Sequence, residues 1–203
     1  GRMVQEVLAT PSGFDFPVSE ASIAEIDTSN ETPEVYFSSY TGGAHCCNEV
    51  YVVEASGRGW ITVSVGSFDG GGNFLEDADG DGVAEIVAVD NVFLYQFDSY
   101  AGSAAPLQIL TVEAGEVVDV STDPRFGDAH REWLSEIEGW AVGPERWTMS
   151  GWIAGWVAAK VRVGEGEQAW QELQANWVAT PDNPAEVCLD GGDSFSCAPS
   201  RVT

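Results

Sequence analysis

Four carboxylates in one short glycine-containing loop are the part of this sequence best equipped for chemistry. In the run DADGDGVAEI, Asp77, Asp79, Asp81 and Glu85 fall at loop positions 1, 3, 5 and 9. Carboxylates so spaced can converge on one point if the backbone wraps, and Gly80 and Gly82 permit the wrapping. Ca²⁺ takes six to eight hard oxygens, and these four side chains with the Val83 carbonyl supply most of such a shell, water or a neighbouring loop the rest. A metal-free turn is the simpler alternative, but the acidic groups would then repel one another uncompensated. Ca²⁺ is therefore the expected cofactor. An EF-hand is excluded, because position 12 is Ala88 inside the strand-like run VAEIVAVD, where that motif needs a bidentate acid and a helix.

The second candidate is His45-Cys46-Cys47, since an imidazole beside thiols can activate a nucleophile or bind a soft metal. Adjacent strand residues point to opposite faces, however, and His130 has no spacing relation to the trio, so buried or oxidised cysteines are the default expectation. Asp69-Gly70-Gly71-Gly72-Asn73 is glycine-rich but lacks the lysine and following helix of a phosphate-binding loop. Its place just before Asp77 makes Asp69 or Asn73 an additional calcium candidate. No serine, histidine and acid arrangement stands out as a hydrolase site.

Cys46, Cys47, Cys188 and Cys197 make an even set compatible with disulfides in an oxidising compartment. Cys188 and Cys197 bracket a glycine-rich turn, so a small C-terminal disulfide loop is the preferred pairing. A vicinal Cys46–Cys47 bond, or a staple from each of these to a C-terminal cysteine, are the alternatives. The formal net charge of −25, from 33 acidic against 8 basic residues, opposes binding to nucleic acid or anionic membranes and favours cations or basic partners. No apolar run is long enough to span a bilayer. No cleavable leader is visible at Gly1-Arg2-Met3, so export is argued from the cysteines and the acidic character; the expected location is extracellular or periplasmic.

The elements that must position these residues are mainly β. SIAEI at 22–26 matches GVAEI at 82–86, and Phe37, Ser39, Tyr40 and Gly42 match Phe97, Ser99, Tyr100 and Gly102 at the same 60-residue offset. In the first copy Pro17, Ser19, Ala21 and Glu25 stand where the second has its acids, so one calcium site is expected. Short apolar runs bounded by turn residues predict strands at 35–40, 50–54, 60–65, 83–89, 93–97, 107–112 and 117–120. Ser56-Gly57-Arg58-Gly59 and Ala114-Gly115-Glu116 supply hairpin turns. After Asp123-Pro124 the period becomes helical, over 129–140, 145–163 and 165–178. Trp133, Ile137 and Trp140, and again Trp152, Trp156 and Ala159, share a helix face and read as a packing stripe more readily than as a sugar-binding platform. The expected fold is two tandem propeller-blade-like antiparallel β units followed by about three α-helices. The β-domain covers 1–126, with repeats at about 15–66 and 75–123, and a helical extension covers 127–203.

The loop and its following strand resemble the FG-GAP or VCBS-like calcium repeats of integrin-type propellers, over residues 77 to about 100. Most of the chain is also similar to a group of bacterial exported proteins carrying a TGGAHCC segment, a DxDGDGxxE loop and a C-terminal helix like GWIAGWVAAKVRVGEG, a resemblance that implies export and no particular activity. The function these readings favour is a non-catalytic, calcium-binding structural or interaction module, whose partner is a protein, itself or another, or an extracellular polymer. A self-assembling surface or filament subunit, with sheet edges completed by further copies, is one alternative. A thiol enzyme or redox or soft-metal protein centred on His45, Cys46 and Cys47 is the other.

Overall fold

A computed structural model describes residues 3, 5–15, 18–57, 59–70 and 74–177. Among these, two sheets precede three α-helices, and the chain divides into two compact units, Gly1–Val89 with Gln108–Phe126 and Asp90–Leu107 with Gly127–Thr203. The mainly β fold with a helical C-terminal part is thus as the hydrophobic periods foretold.

In the first unit, β1 (Ser19–Ala24), β2 (Glu34–Tyr40), β3 (Cys46–Ser56) and β4 (Gly59–Asp69) form an antiparallel meander in chain order. Alternation drives it: Tyr36 in β2, Val50 and Val52 in β3 and Val63 in β4 turn inward. A second sheet, in the order β5 (Ile86–Val89), β6 (Leu107–Glu113), β7 (Glu116–Asp119), supplies Ile86, Ala88, Leu110 and Val112 to the same core. Its β6–β7 hairpin closes through Ala114 and Gly115, both at positive φ (52° and 89°), the pair of left-handed positions that matches the twist of the flanking strands.

The 60-residue correspondence holds only in part. Ile26 and Ile86 enter one core. But Phe37 to Tyr40 lie in β2, whereas Phe97 to Tyr100 occupy bends leading into a 3-10 turn at Tyr100–Gly102. Ser19 and Ala21 lie in β1, where Asp79 and Asp81 lie in a loop. The expected strand at 93–97 is likewise replaced by a 3-10 turn, Asn91–Phe93, capped by the Asp90 carboxylate on Val92 N–H, with Tyr95 beyond it at φ 61°. The whole 90–107 segment, assigned by its sequence to the second β repeat, belongs to the helical unit.

That unit consists of α1 (Gly127–Trp140), α2 (Ser150–Arg162) and α3 (Gly166–Asn176), with a 3-10 turn at Pro144–Thr148. Trp152 and Trp156 stack in its core with centroids 5.5 Å apart, and Trp147 meets both edge-on. Their indole N–H groups donate to Ile137 O and Glu138 Oε1. Burial therefore supports packing over a ligand platform for this pair, while Trp140 at the end of α1 is half exposed. No helix among the described residues is long and apolar enough to cross a membrane.

Candidate metal centre

The 77–85 loop joins β4 to β5, and a single bridge between Glu76 and Glu85 pins its two ends together. Its wrap is made by its own acids. Asp77 Oδ1 accepts the N–H groups of Gly80 and Asp81 and its Oδ2 that of Gly82, while Asp79 Oδ1 accepts from Asp81 N–H. Gly80 and Gly82 take φ of 79° and 93°, where a β-carbon would be strained.

This wrap brings together one oxygen each from Asp77, Asp79 and Glu85, all within 4.8 Å of one another. Of the expected acidic ligands, Asp81 stands apart from that trio. Asp81 is exposed, accepts Val83 N–H on Oδ1, and lies with Oδ2 3.8 Å from Arg125 Nη1. Val83 is half-buried and takes part through that N–H.

The trio differs steeply in environment: Asp77 is exposed, Asp79 half-buried and Glu85 fully buried. Burial pushes the Glu85 carboxyl above the ordinary carboxylate range; the Ala78 N–H on Oε2 opposes this, and neighbouring Asp79 adds to it. One participant comes from outside the loop. Arg125, from the 3-10 turn Pro124–Phe126, places Nε 3.5 Å from Asp79 Oδ2 and 3.5 Å from Asp123 Oδ2. Its only advance signal is rarity: it is the sole lysine or arginine among the described residues of the first unit.

As a donor set, three converging carboxylates with an open solvent side fit a hard divalent cation and suit neither a soft metal nor a nucleophile. The other candidates are placed differently. Asp69 does not join the loop; its Oδ1 lies 2.7 Å from His45 Nδ1, across the strand pair in which Cys46 and Asp69 face each other. Cys46 and Cys47 are bonded to each other across a cis peptide. Cys188 and Cys197, with the disulfide loop expected of them, and Asn73 lie outside the described residues. His130 is buried in α1, far in sequence from the trio.

Comparison with known proteins gives a family model described as the sll0997 C-terminal domain, matching residues 130–203. The chain is 39% identical over 198 residues to the "Probable thylakoid lumen protein sll0997" of Synechocystis sp. (strain ATCC 27184 / PCC 6803 / Kazusa), covering 95% of this chain and 58% of that protein. It is 34% identical over 191 residues to the "Uncharacterized protein y4bJ" of Sinorhizobium fredii (strain NBRC 101917 / NGR234), covering 92% of this chain and 30% of that one. The chain thus spans a little over half of the first relative and under a third of the second. No solved structure matches. The thylakoid lumen is an extracytoplasmic compartment, in agreement with the location expected for this chain.

Proposed function

We propose that this chain is an extracytoplasmic calcium-binding module that works by presenting an ordered surface to a protein or polymer partner, without catalysis. The observation that carries the reading is the convergence of Asp77, Asp79 and Glu85 within 4.8 Å, one of them buried. A divalent cation there would offset the repulsion among the three charges and compensate the cost of burying Glu85. The resemblance of the loop to FG-GAP and VCBS-like calcium repeats supports the same choice of ion. Asp77, Asp79 and Glu85 would hold it directly, and Asp81 would join them once its carboxylate turned from Arg125.

Calcium held at the β4–β5 connection would fix the entry of β5, whose Ile86 and Ala88 are core residues, so binding is coupled to the stability of the first unit. A ligand that binds only the folded state adds about 2.7 kcal/mol when present at 100 times its dissociation constant. The test is a set of melting curves in chelator and in millimolar calcium for wild type, Asp79→Ala and Glu25→Ala. Wild type and Glu25→Ala should gain several degrees with calcium and Asp79→Ala little. Identical wild-type curves in the two buffers would defeat the proposal.

A further inference from the structure

The first unit contains a second group of carboxyls, separate from the 77–85 loop. Asp27, Glu34 and Glu54 are 1%, 0% and 2% exposed. Glu34 is a satisfied carboxylate: Oε2 accepts the N–H groups of Ile26 and Asp27, and Oε1 accepts Asn30 Nδ2. Asp27 accepts Ser29 N–H on Oδ1 and Ala114 N–H on Oδ2. Glu54 has no comparable set of donors. Its Oε1 lies against Gly115, in the same β6–β7 turn whose Ala114 N–H Asp27 accepts, and its Oε2 is buried without a hydrogen-bond partner.

Two carboxyls can hydrogen-bond to each other only if one carries a proton, and two buried charges in contact are strongly disfavoured. Among the described residues of the first unit no basic side chain relieves them, since Arg125 is engaged by Asp79, Asp81 and Asp123. The described groups around Glu54 are all acidic or uncharged. Asp27 and Glu34 face it from the β1–β2 connection and β2, its partner across β4 is Ile61, and Gly115 of the β6–β7 turn approaches its Oε1, while Glu113 and Glu116 beside that turn are exposed.

We propose that Asp27 and Glu54 form a one-proton lock that joins the β6–β7 hairpin to the four-stranded sheet and opens when the proton is lost to solvent. With the proton in place, Glu54 donates to Asp27, and Asp27 as carboxylate holds Ala114 N–H at 2.8 Å. Thr111 Oγ1 on Ile26 O forms the neighbouring link between the same two sheets. Removing the proton sets a second negative charge against Asp27, and the hairpin tie is what can yield. The two groups are pushed apart accordingly. Burial, then the contact with Asp27, raises Glu54 to about 7. Burial also raises Asp27, but the bonds from Ser29, Ala114 and Glu54 outweigh it and hold that group low.

Because the Glu54 carboxyl binds its proton more tightly when folded, its contribution is complete at or below pH 4.5 and is lost as pH rises through about 7. The interval between 4.5 and about 7 corresponds to a fall of at most roughly 300-fold in the folding equilibrium constant. Urea unfolding in chelator from pH 5 to pH 8.5, on wild type and Glu54→Gln, reads this as a difference in slope. Wild type should lose stability across the range relative to the variant, and exchange of the Ala114 amide should accelerate with pH beyond its intrinsic rate in wild type alone. Equal slopes, or a Glu54 carboxyl titrating near 4.5 by carbon NMR of the wild-type protein, would overturn the proposal. The NMR titration decides the matter even if the variant does not fold.

Discussion

Replacing Gly155 by alanine puts a methyl group where the helical unit has no room for one. A Cβ there would lie 2.2 Å from the Ala104 carbonyl oxygen and 2.7 Å from Ala104 Cβ, so α2 must retreat from the 102–104 segment by roughly 1 Å to restore ordinary contact. Both sides of the clash are backbone or its first carbon, so no flexible side chain can absorb it. Overpacking of this kind costs about 3 kcal/mol at the upper end of its usual range, and α2 carries Trp152 and Trp156, which would be drawn out of their contacts. Against this stands a gain of about 1 kcal/mol from helix propensity. The expected net loss is about 2 kcal/mol. Gly139→Ala is the matched control: it lies exposed in α1 with nothing within 4 Å of the new carbon, so the propensity gain should appear alone. Urea unfolding followed by tryptophan fluorescence suits the comparison, because every tryptophan except Trp60 belongs to this unit. If Gly155→Ala is as stable as wild type, or shifts in the same direction as Gly139→Ala, the packing argument is wrong.

Arg125→Gln should tighten calcium binding by about five- to tenfold in isothermal titration, since the guanidinium competes for Asp79 and Asp81 at 3.5 and 3.8 Å and its exposure discounts the Coulomb term to about 1 kcal/mol; an unchanged or weaker affinity would show that it orients the loop instead. Lys160→Met should cost about 1–3 kcal/mol in urea unfolding, because the buried ammonium bonds Glu165 at 2.8 Å and Glu138 at 3.3 Å and thereby joins α2 to α1 and to the start of α3. A gain in stability there would mean that apolar packing at this position outweighs the ion pairs and the ammonium that lies 5.8 Å from the Trp156 ring centroid.

Much of the fold was legible because period and burial agree: β2, β6, α1 and α3 follow their hydrophobic spacing closely, whereas β3 outruns its expected 50–54 to span Cys46–Ser56 and the helix expected from 145 begins at Ser150 after a 3-10 turn. β1 was missed because SEASIA is polar and largely exposed and carries no alternating apolar signal. The 93–97 run was misread because its aromatic residues suit a strand, whereas the Asp90 cap and the left-handed Tyr95 commit the backbone to turns. The three converging acids were legible from loop spacing alone. Arg125 and the Asp27–Glu54 pair were not, since they meet partners distant in sequence, and a single acid among 33 has no signature until its burial is known. His45 was singled out for its cysteine neighbours, but its observed partner is Asp69, brought to it by β3–β4 register.

The central claim is that the 77–85 loop takes up calcium, and a calcium titration of chelator-stripped protein with bound metal counted by native mass spectrometry tests it most directly. The account predicts one calcium per chain, lost in Asp79→Ala and retained in Glu25→Ala, with magnesium a poor substitute because the larger ion tolerates an irregular shell. Wild-type protein that remains metal-free at millimolar calcium, or that binds equally well after Asp79→Ala, would contradict it.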